Sequence, residues 1–382
     1  MGMLNNGQRK ILYVVTEDWY FCTHRLALAR TVRDAGYNVT VATRIDADSE
    51  KILSANLNII NLPFDRSLQS PWRDLKLLRQ LIALYRHCQP DLVHQIALKP
   101  IVLGSIAARW CGFHHIVNSF TGLGYVFTGH NLPQSLLRIL LIPILRFLIR
   151  HKHSWVIVQN QDDMRYLIKN GILDPNRTRL IRGSGVDINE FYPVNEPDAP
   201  VIVICPSRML GDKGIREFVE AARRLYQHNV DARFILVGPL DQANPSAISD
   251  QEMSVWTKEG LIEWWGKCSD MAEVYQQSHI VCLPSYREGL PKVLLEGAAC
   301  GRPLVASNVP GCREIVRHGD NGLLVPSRDP IRLAEALLML IENKPLRERM
   351  GRRSREIAVR EFSLDKVNRE TLAFYSDVLT SV

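Results

Sequence analysis

The chain has 382 residues, of which 46% are hydrophobic and 23% charged; this excludes a small stapled module and a disordered chain and leaves room for two or three domains at roughly 150 residues each. The 47 Lys and Arg against 40 Asp and Glu leave a net charge of +7, which favours an anionic membrane surface or a phosphate-bearing substrate but is too diffuse to point to a nucleic-acid partner.

Short β-branched runs at 11–15, 38–42, 58–62, 91–94, 115–118 and 155–159 are predicted strands. Helical candidates at 24–35, 71–88, 100–111, 133–151 and 161–170 lie between them, several opened or closed by Pro or Gly. This alternation is the pattern of β-α-β units around a parallel sheet, and a doubly wound domain fits before residue 185. Segment 183–200, GSGVDINEFYPVNEPDAP, is rich in Gly, Pro and Asp/Asn and lacks apolar periodicity, so the domain boundary is expected there. A second set of strands is predicted at 201–205, 233–237, 261–264, 280–283, 303–307 and 322–325. From residue 330 onward three amphipathic helices follow, with Arg347, Arg349, Arg352, Arg353 and Arg355 expected on their exposed sides. The expected domains are 1–185, 186–362 and a final helical segment, 363–382, that crosses back to the first. Parallel sheets take ligands at the carboxyl ends of their strands, so two such sheets facing each other would make a deep cleft.

Eight cysteines (Cys22, Cys88, Cys111, Cys205, Cys268, Cys282, Cys300 and Cys312) are scattered without a C-x-x-C pair. They read as buried thiols in a reducing compartment. Residues 1–10 are polar, and the apolar run at 11–15 is too short for a signal-peptide core or a membrane span, so a cytoplasmic location is expected.

Chemistry concentrates in the second half. In Tyr286-Arg287-Glu288-Gly289-Leu290-Pro291-Lys292-Val293-Leu294-Leu295-Glu296-Gly297, Glu288 lies in the loop after a strand, and Glu296 lies about two turns along a helix expected to begin near Leu290. The two carboxylates suit different parts of one extended ligand. The backbone N–H groups of Gly289 to Lys292 are the unpaired donors of a helix N-terminus, a seat for phosphate. Lys292 in the first turn opposes the helix dipole, which invites an anion nearby. In Ser207-Arg208-Met209-Leu210-Gly211-Asp212-Lys213-Gly214, Arg208 offers a planar fork to phosphate oxygens and Lys213 a compact charge.

Arg208-x4-Lys213, followed by Glu288-x7-Glu296, resembles the family 4 glycosyltransferases with the GT-B fold. Arg182-Gly183-Ser184-Gly185-Val186-Asp187 with Phe191, Gly311-Cys312-Arg313-Glu314-Ile315-Val316, and 318–326 (HGDNGLLVP) support the resemblance across nearly the whole chain. It implies an α/β GT-B architecture, two Rossmann-like domains facing across a cleft with C-terminal helices packing back. The implied activity is a retaining transfer of a hexose or N-acetylhexosamine from a nucleotide-diphosphate sugar, UDP-linked by expectation, without a cofactor. Arg208 and Lys213 would neutralise the leaving diphosphate, where preorganised cations stabilise developing charge. Glu288 would contact hydroxyls of the transferred sugar, Glu296 the ribose, and the Gly266-Lys267-Cys268 loop the base. A carboxylate near the anomeric carbon would also offset the positive charge of an oxocarbenium-like transition state. Within this resemblance His94, at a strand end, would lie against the sugar.

The acceptor belongs to the first domain in such enzymes. Residues 16–25 (TEDWYFCTHR) follow the first strand where many relatives carry a glycine-rich loop, and Trp19, His24 and Arg25 are expected to shape the acceptor mouth. Residues 121–127 (TGLGYVF), with Gly122, Gly124 and Tyr125, resemble a segment of enzymes that build bacterial surface polysaccharides. Residues 136–149 (LLRILLIPILRFLI) are too short and too charged to span a bilayer. They read either as a buried helix of the first domain or as an interfacial helix with Arg138, Arg146, Arg150 and Lys152 on anionic lipid. The second alternative suits a polyprenyl-diphosphate-linked acceptor at the inner face of the plasma membrane. Asp46-Ala47-Asp48 matches a three-letter metal motif but reads as a helix cap, and no metal requirement is expected. The rival readings are a nucleotide-sugar epimerase or hydrolase of the same fold and a catalytically silent nucleotide-sugar-binding subunit.

Overall fold

A computed structural model describes residues 8–64, 71–123, 127, 132–198, 200–242 and 244–381, the side chains of 132–135 excepted. The chain forms two compact units, Met1–Ser184 with Val367–Val382, and Gly185–Lys366.

In the first unit the order is β1 (Lys10–Glu17), α1 (Asp18–His24), α2 (Leu26–Asp34), β2 (Asn38–Arg44), α3 (Ser49–Ser54), β3 (Asn58–Asn61), α4 (Pro71–Cys88), β4 (Leu92–Ile96), α5 (Leu98–Cys111), β5 (Ile116–Phe120), α6 (Leu132–Ile149), β6 (Ser154–Val158), α7 (Gln161–Lys169) and β7 (Thr178–Leu180). The strands make one parallel sheet in the order β3-β2-β1-β4-β5-β6-β7. Strand side chains alternate between faces, and both faces of β1 are apolar. Ile11, Tyr13 and Val15 enter one buried cluster while Leu12 and Val14 enter the other. A run without polar alternation is therefore what a strand covered on both sides requires.

The second unit continues with β8 (Val201–Pro206), α8 (Ile215–Gln227), β9 (Ala232–Val237), α9 (Asp250–Lys258), β10 (Glu263–Trp264), α10 (Met271–Gln276), β11 (Ile280–Leu283), α11 (Lys292–Ala299), β12 (Leu304–Ser307), α12 (Cys312–Ile315), β13 (Gly322–Val325), α13 (Pro330–Glu342) and α14 (Lys344–Phe362). Its sheet is parallel in the order β10-β9-β8-β11-β12-β13. The central strand again divides its residues, Val203 and Cys205 to one cluster and Ile202 and Ile204 to the other. The last helix, α15 (Leu364–Thr380), returns to the first unit, burying Phe374, Tyr375, Val378 and Leu379 against Ile11, Tyr13 and Ile157. At about 1.5–3 kcal/mol per fully buried large side chain, that seam is enough to hold the C-terminus there.

Several expectations are corrected. The segment after the first strand is not a loop: β1 runs to Glu17 and α1 follows directly, with a break at Arg25 before α2. The short edge strand β7 went unseen because its three residues, Thr178, Arg179 and Leu180, lack an apolar run. Helix α11 begins at Lys292, with Pro291 in the capping position. Of the arginines expected on exposed sides, Arg347 is buried and Arg353 and Arg355 are half-buried. Arg347 is 5% exposed, pairing with Glu196 at 3.0 Å and donating to the Leu340 and Ile341 carbonyls. Arg355 donates to the carbonyls of Ile188, Phe191 and Ala299, tying α14 to the segment that leads into the unit. Asp48 precedes α3, but its carboxylate pairs with Lys51 at 2.6 Å instead of capping the helix.

Candidate functional site

In the second unit β8 has β9 on one side and β11 on the other, so the strand order reverses between β8 and β11. Their carboxyl ends are where a doubly wound sheet takes its ligand. Arg208 lies two residues past β8, and Lys213 ends a single 3-10 turn, Gly211–Lys213. Glu288 comes from the loop after β11. Lys213 Nζ donates to Glu288 Oε1 at 2.6 Å, and Arg208 Nη1 donates to Asp241 Oδ2, in the loop after β9, at 2.8 Å. Burial works against the Lys213 ammonium, but the Glu288 carboxylate outweighs it and the pKa lies above the ordinary lysine value. Two glycines let these loops meet. A Cβ on Gly214 would sit 2.1 Å from the Pro284 carbonyl oxygen, and one on Gly311 would sit 2.5 Å from the Gly289 carbonyl oxygen; both have positive φ. The Tyr286 N–H also donates to the Asp212 carbonyl at 2.9 Å, joining the turn after β8 to the loop after β11.

Glu296 is buried in the second turn of α11, where it accepts from Tyr275 Oη at 2.9 Å and pairs with Lys292 Nζ at 3.3 Å. Burial raises its pKa, against the lowering effect of Lys292 and the Tyr275 hydrogen bond. The Lys292 side chain thus runs along the helix to Glu296, which offsets the dipole penalty that had suggested an anion. Gly289 and Leu290 are half-buried in the loop and Pro291 is buried. Gly266 follows β10 at φ +66° and its carbonyl accepts the Gly238 N–H at 2.7 Å, while Lys267 is exposed. Arg208, Lys213 and Glu288 are therefore brought together, Glu296 lies along the helix entered from the same loop, and Gly266 and Lys267 follow the edge strand. Sequence reasoning missed Asp241 and Tyr275, the partners that hold Arg208 and Glu296. The position of Asp241 just past a predicted strand was the available signal; Tyr275 had none.

In the first unit the strand order reverses between β1 and β4. Glu17 and Asp18 at the end of β1 are buried. Glu17 accepts from Arg44 Nη2 at 2.7 Å and Trp19 Nε1 at 2.9 Å. Asp18 accepts the backbone N–H groups of Trp19, Asp46 and Asp48, and this is what orders the segment that read as a metal motif. His24 packs against Tyr20 with the rings tilted by 35° and their centroids 4.5 Å apart, and its Nδ1 is 3.4 Å from Ser184 Oγ. Arg25 is 5% exposed and donates from Nη1 to the Gly183 carbonyl at 3.4 Å. Ala97, entering α5 from β4, has φ +77° and ψ 162°, a conformation almost reserved for glycine. Gly122 is half-buried, whereas Gly124 and Tyr125 lie outside the described residues.

His94 is not at an open strand end. It is the middle residue of β4 and is fully buried, with its Nε2 2.6 Å from Ser119 Oγ and its Nδ1 against the Tyr375 hydroxyl. The strand continues two residues past it, and α15 covers its face. Burial and the charge of Arg25 hold its pKa well below the ordinary histidine value, so it stands as a neutral core group.

Helix α6 has two characters. Leu145, Leu148 and Ile149 are buried, while Leu136, Ile139, Leu140 and Phe147 are 61–66% exposed, and Trp110 of α5 is 71% exposed. The Arg109 guanidinium lies 4.2 Å from the Phe147 ring centroid. Arg146, Arg150 and Lys152 are exposed and Arg138 is half-buried; Arg146 Nε donates to the Asn170 carbonyl at 2.6 Å. Among the described residues no helix is long and apolar enough to cross a membrane.

Two family models match, "Glycosyl transferases group 1" over residues 200–343 and "Glycosyl transferase 4-like" over residues 10–160. The chain is 25% identical to the N,N'-diacetylbacillosaminyl-diphospho-undecaprenol alpha-1,3-N-acetylgalactosaminyltransferase of Campylobacter jejuni, covering 94% of this chain and 96% of that protein. It is 26% identical to the UDP-Gal:alpha-D-GlcNAc-diphosphoundecaprenol alpha-1,3-galactosyltransferase of Escherichia coli, with 81% of each covered. Among solved structures, sucrose-phosphate synthase of Thermosynechococcus elongatus superposes with a TM-score of 0.81 at 19% identity, covering 98% of this chain and all of that one. HepE of Anabaena, in complex with UDP and glucose, superposes with a TM-score of 0.79 at 20% identity, covering 97% of this chain and all of that one.

Proposed function

The chain belongs to the family 4 glycosyltransferases with the GT-B fold, and on that premise we propose that it transfers a hexose or N-acetylhexosamine, with retention, from a UDP-sugar to a polyprenyl-diphosphate-linked saccharide. The observation that carries this reading is the meeting of Arg208, Lys213 and Glu288 at the strand-order reversal of the second unit. The relatives in Campylobacter and Escherichia, both named for diphospho-undecaprenol acceptors and one for a UDP-linked donor, support the substrate classes.

As the glycosidic C–O bond of the donor breaks, its electron pair goes to the diphosphate oxygen. Arg208 and Lys213 receive that developing charge. Arg208 is 40% exposed, so its bond to Asp241 is one that a phosphate exchanges readily. Glu288 holds Lys213 in place and accepts from hydroxyls of the sugar; Glu296 accepts from the ribose. The acceptor hydroxyl attacks on the face that the diphosphate leaves, and its proton passes to the departing phosphate oxygen. Two fixed cations make a metal ion unnecessary for this step. The lipid-linked acceptor is met at the inner face of the membrane by the open side of α6, with Leu136, Leu140 and Phe147 in the acyl boundary and Arg138, Arg146, Arg150 and Lys152 at anionic headgroups.

The test is a thermal-shift screen with UDP, GDP and ADP in the presence and absence of EDTA, since a ligand that binds only the folded state raises its stability. It is followed by product analysis with UDP-sugars and a short-chain prenyl-diphosphate saccharide. A UDP-selective shift that survives EDTA, and an α-linked product from an α-linked donor, are expected. Turnover of donor without acceptor would replace the reading with an epimerase or hydrolase, and no response to any nucleotide would replace it with a silent subunit.

A further inference from the structure

Among the described residues the buried arginines are matched to acceptors, with one exception. Arg302, 2% exposed, donates Nε and Nη2 to the carbonyls of Tyr275 and Gln276 at 3.1 and 2.9 Å. Arg347, 5% exposed, has the Glu196 carboxylate and two carbonyls. Arg25 is as buried as Arg347, yet its Nε has no partner and the hydrogen bond its guanidinium makes among the described residues, to the Gly183 carbonyl, is a long 3.4 Å. Among the described residues no carboxylate pairs with it. The two nearest in sequence, Glu17 and Asp18, already serve Arg44, Trp19 and the backbone of the 46–48 segment. A buried guanidinium left in this state destabilises a fold, so its retention calls for an anion that the described residues do not supply.

The surroundings favour an anion as well. The charge of Arg25 is felt by Tyr13, Tyr20, His94 and Tyr375, all of which burial keeps neutral. These groups offer hydrogen bonds and no negative charge. Arg25 also immediately precedes α2, a nine-residue helix whose first turn holds no acidic residue, so the positive end of the helix dipole is likewise unmatched. The residues next to Arg25 and its Gly183 partner also meet, His24 Nδ1 lying 3.4 Å from Ser184 Oγ.

We propose that Arg25 is the phosphate-binding residue of the first unit, its guanidinium fork receiving oxygens of a diphosphate ester, with the prenyl diphosphate of the acceptor as the source. This deepens the proposed function and rests on it for the identity of that source; the donor carries the same chemistry, and the experiment separates the two. Binding of farnesyl diphosphate and of UDP is measured by thermal shift and calorimetry on the full chain, its Arg25→Met variant and its Arg25→Lys variant.

The expected result has three parts. Arg25→Met keeps or raises the ligand-free Tm, because an uncompensated charge is removed; it weakens farnesyl diphosphate at least tenfold and leaves UDP unchanged. Arg25→Lys, which keeps the charge and loses the fork, falls between. Weakened UDP with unchanged farnesyl diphosphate would retain Arg25 as a phosphate ligand and overturn the acceptor as the source. Unchanged affinity for both ligands would overturn the proposal. So would a Tm lowered in Arg25→Met and restored in Arg25→Lys while farnesyl diphosphate binds all three proteins alike, since that is the behaviour of a structural residue. If the unmodified chain binds UDP but not farnesyl diphosphate, the lipid-linked acceptor reading fails, and the UDP arm alone decides the role of Arg25.

Discussion

Replacing Lys213 with Met tests the site through stability and catalysis at once. The ammonium sits 2.6 Å from Glu288, and the two side chains are only 19% and 13% exposed. Removing one partner of a fully buried pair costs about 3–5 kcal/mol, because the other charge is stranded. The residual exposure here lets water reach the orphaned carboxylate, so a loss of about 2–3 kcal/mol is expected, or about 5–10 °C in Tm for a unit of this size. Adding Glu288→Gln removes the stranded charge and should return most of that stability. Catalysis should not follow, since losing a group aimed at developing charge typically costs about 10²–10³ in kcat. Scanning calorimetry and sugar-transfer rates on the wild type, both single variants and the double variant make the assay. If Lys213→Met retained kcat/KM, the role assigned to Lys213 would be wrong, and if the double variant were as unstable as the single one, the pairing would be.

Glu296→Gln should leave Tm unchanged or slightly higher, because burial already disfavours the ionised carboxylate, while nucleotide affinity falls by about 10–100-fold through loss of a charge-assisted hydrogen bond; scanning calorimetry reads the first and calorimetric titration with UDP the second. His94, His151, His153 and His279 are all held below the ordinary histidine value chiefly by burial, His153 at about 4. The unfolded chain then binds more protons than the fold between those values, so stability rises with pH across the window and is lost as pH falls from about 6.5 towards 4. A Tm that is flat over that range, or a slope unaltered by His153→Gln, counts against this. Leu140→Glu with Phe147→Glu should leave Tm unchanged, since both side chains are 66% exposed. Sedimentation with anionic vesicles should show at least about tenfold weaker binding, at about 1.5–3 kcal/mol per large apolar side chain withdrawn from the interface; equal binding would remove α6 from the membrane. Ala97→Gly should stabilise the protein by about 1 kcal/mol, the relieved strain of about 1–3 kcal/mol less the entropy of a more flexible unfolded chain, and a lowered Tm would contradict the strained geometry.

Much of this protein was legible before folding was considered. Strands such as Ile280–Leu283 and Gly322–Val325 announce themselves because a strand buried on both faces must be apolar at every position, a local property. The order of strands and helices gave the doubly wound plan. Arg208, Lys213, Glu288 and Glu296 stood out because they follow strands, and only the carboxyl ends of strands open onto a ligand site in such sheets. Burial and pairing were not legible, because they depend on residues far away in the chain. His94 looked like the end of a strand; whether it faced a ligand or the core was decided by Tyr375, 281 residues later, on a helix that returns to cover it. Arg347 and Arg355 looked like surface charges until Glu196 and the carbonyls of 188, 191 and 299 arrived from other segments. The state of Arg25 is the extreme case, since the lack of a carboxylate partner among the described residues shows only once distant segments are folded around it. Local sequence sets which elements form and where their polar ends lie, while the electrostatic state of each charged group is a sum over neighbours that only the tertiary structure assembles.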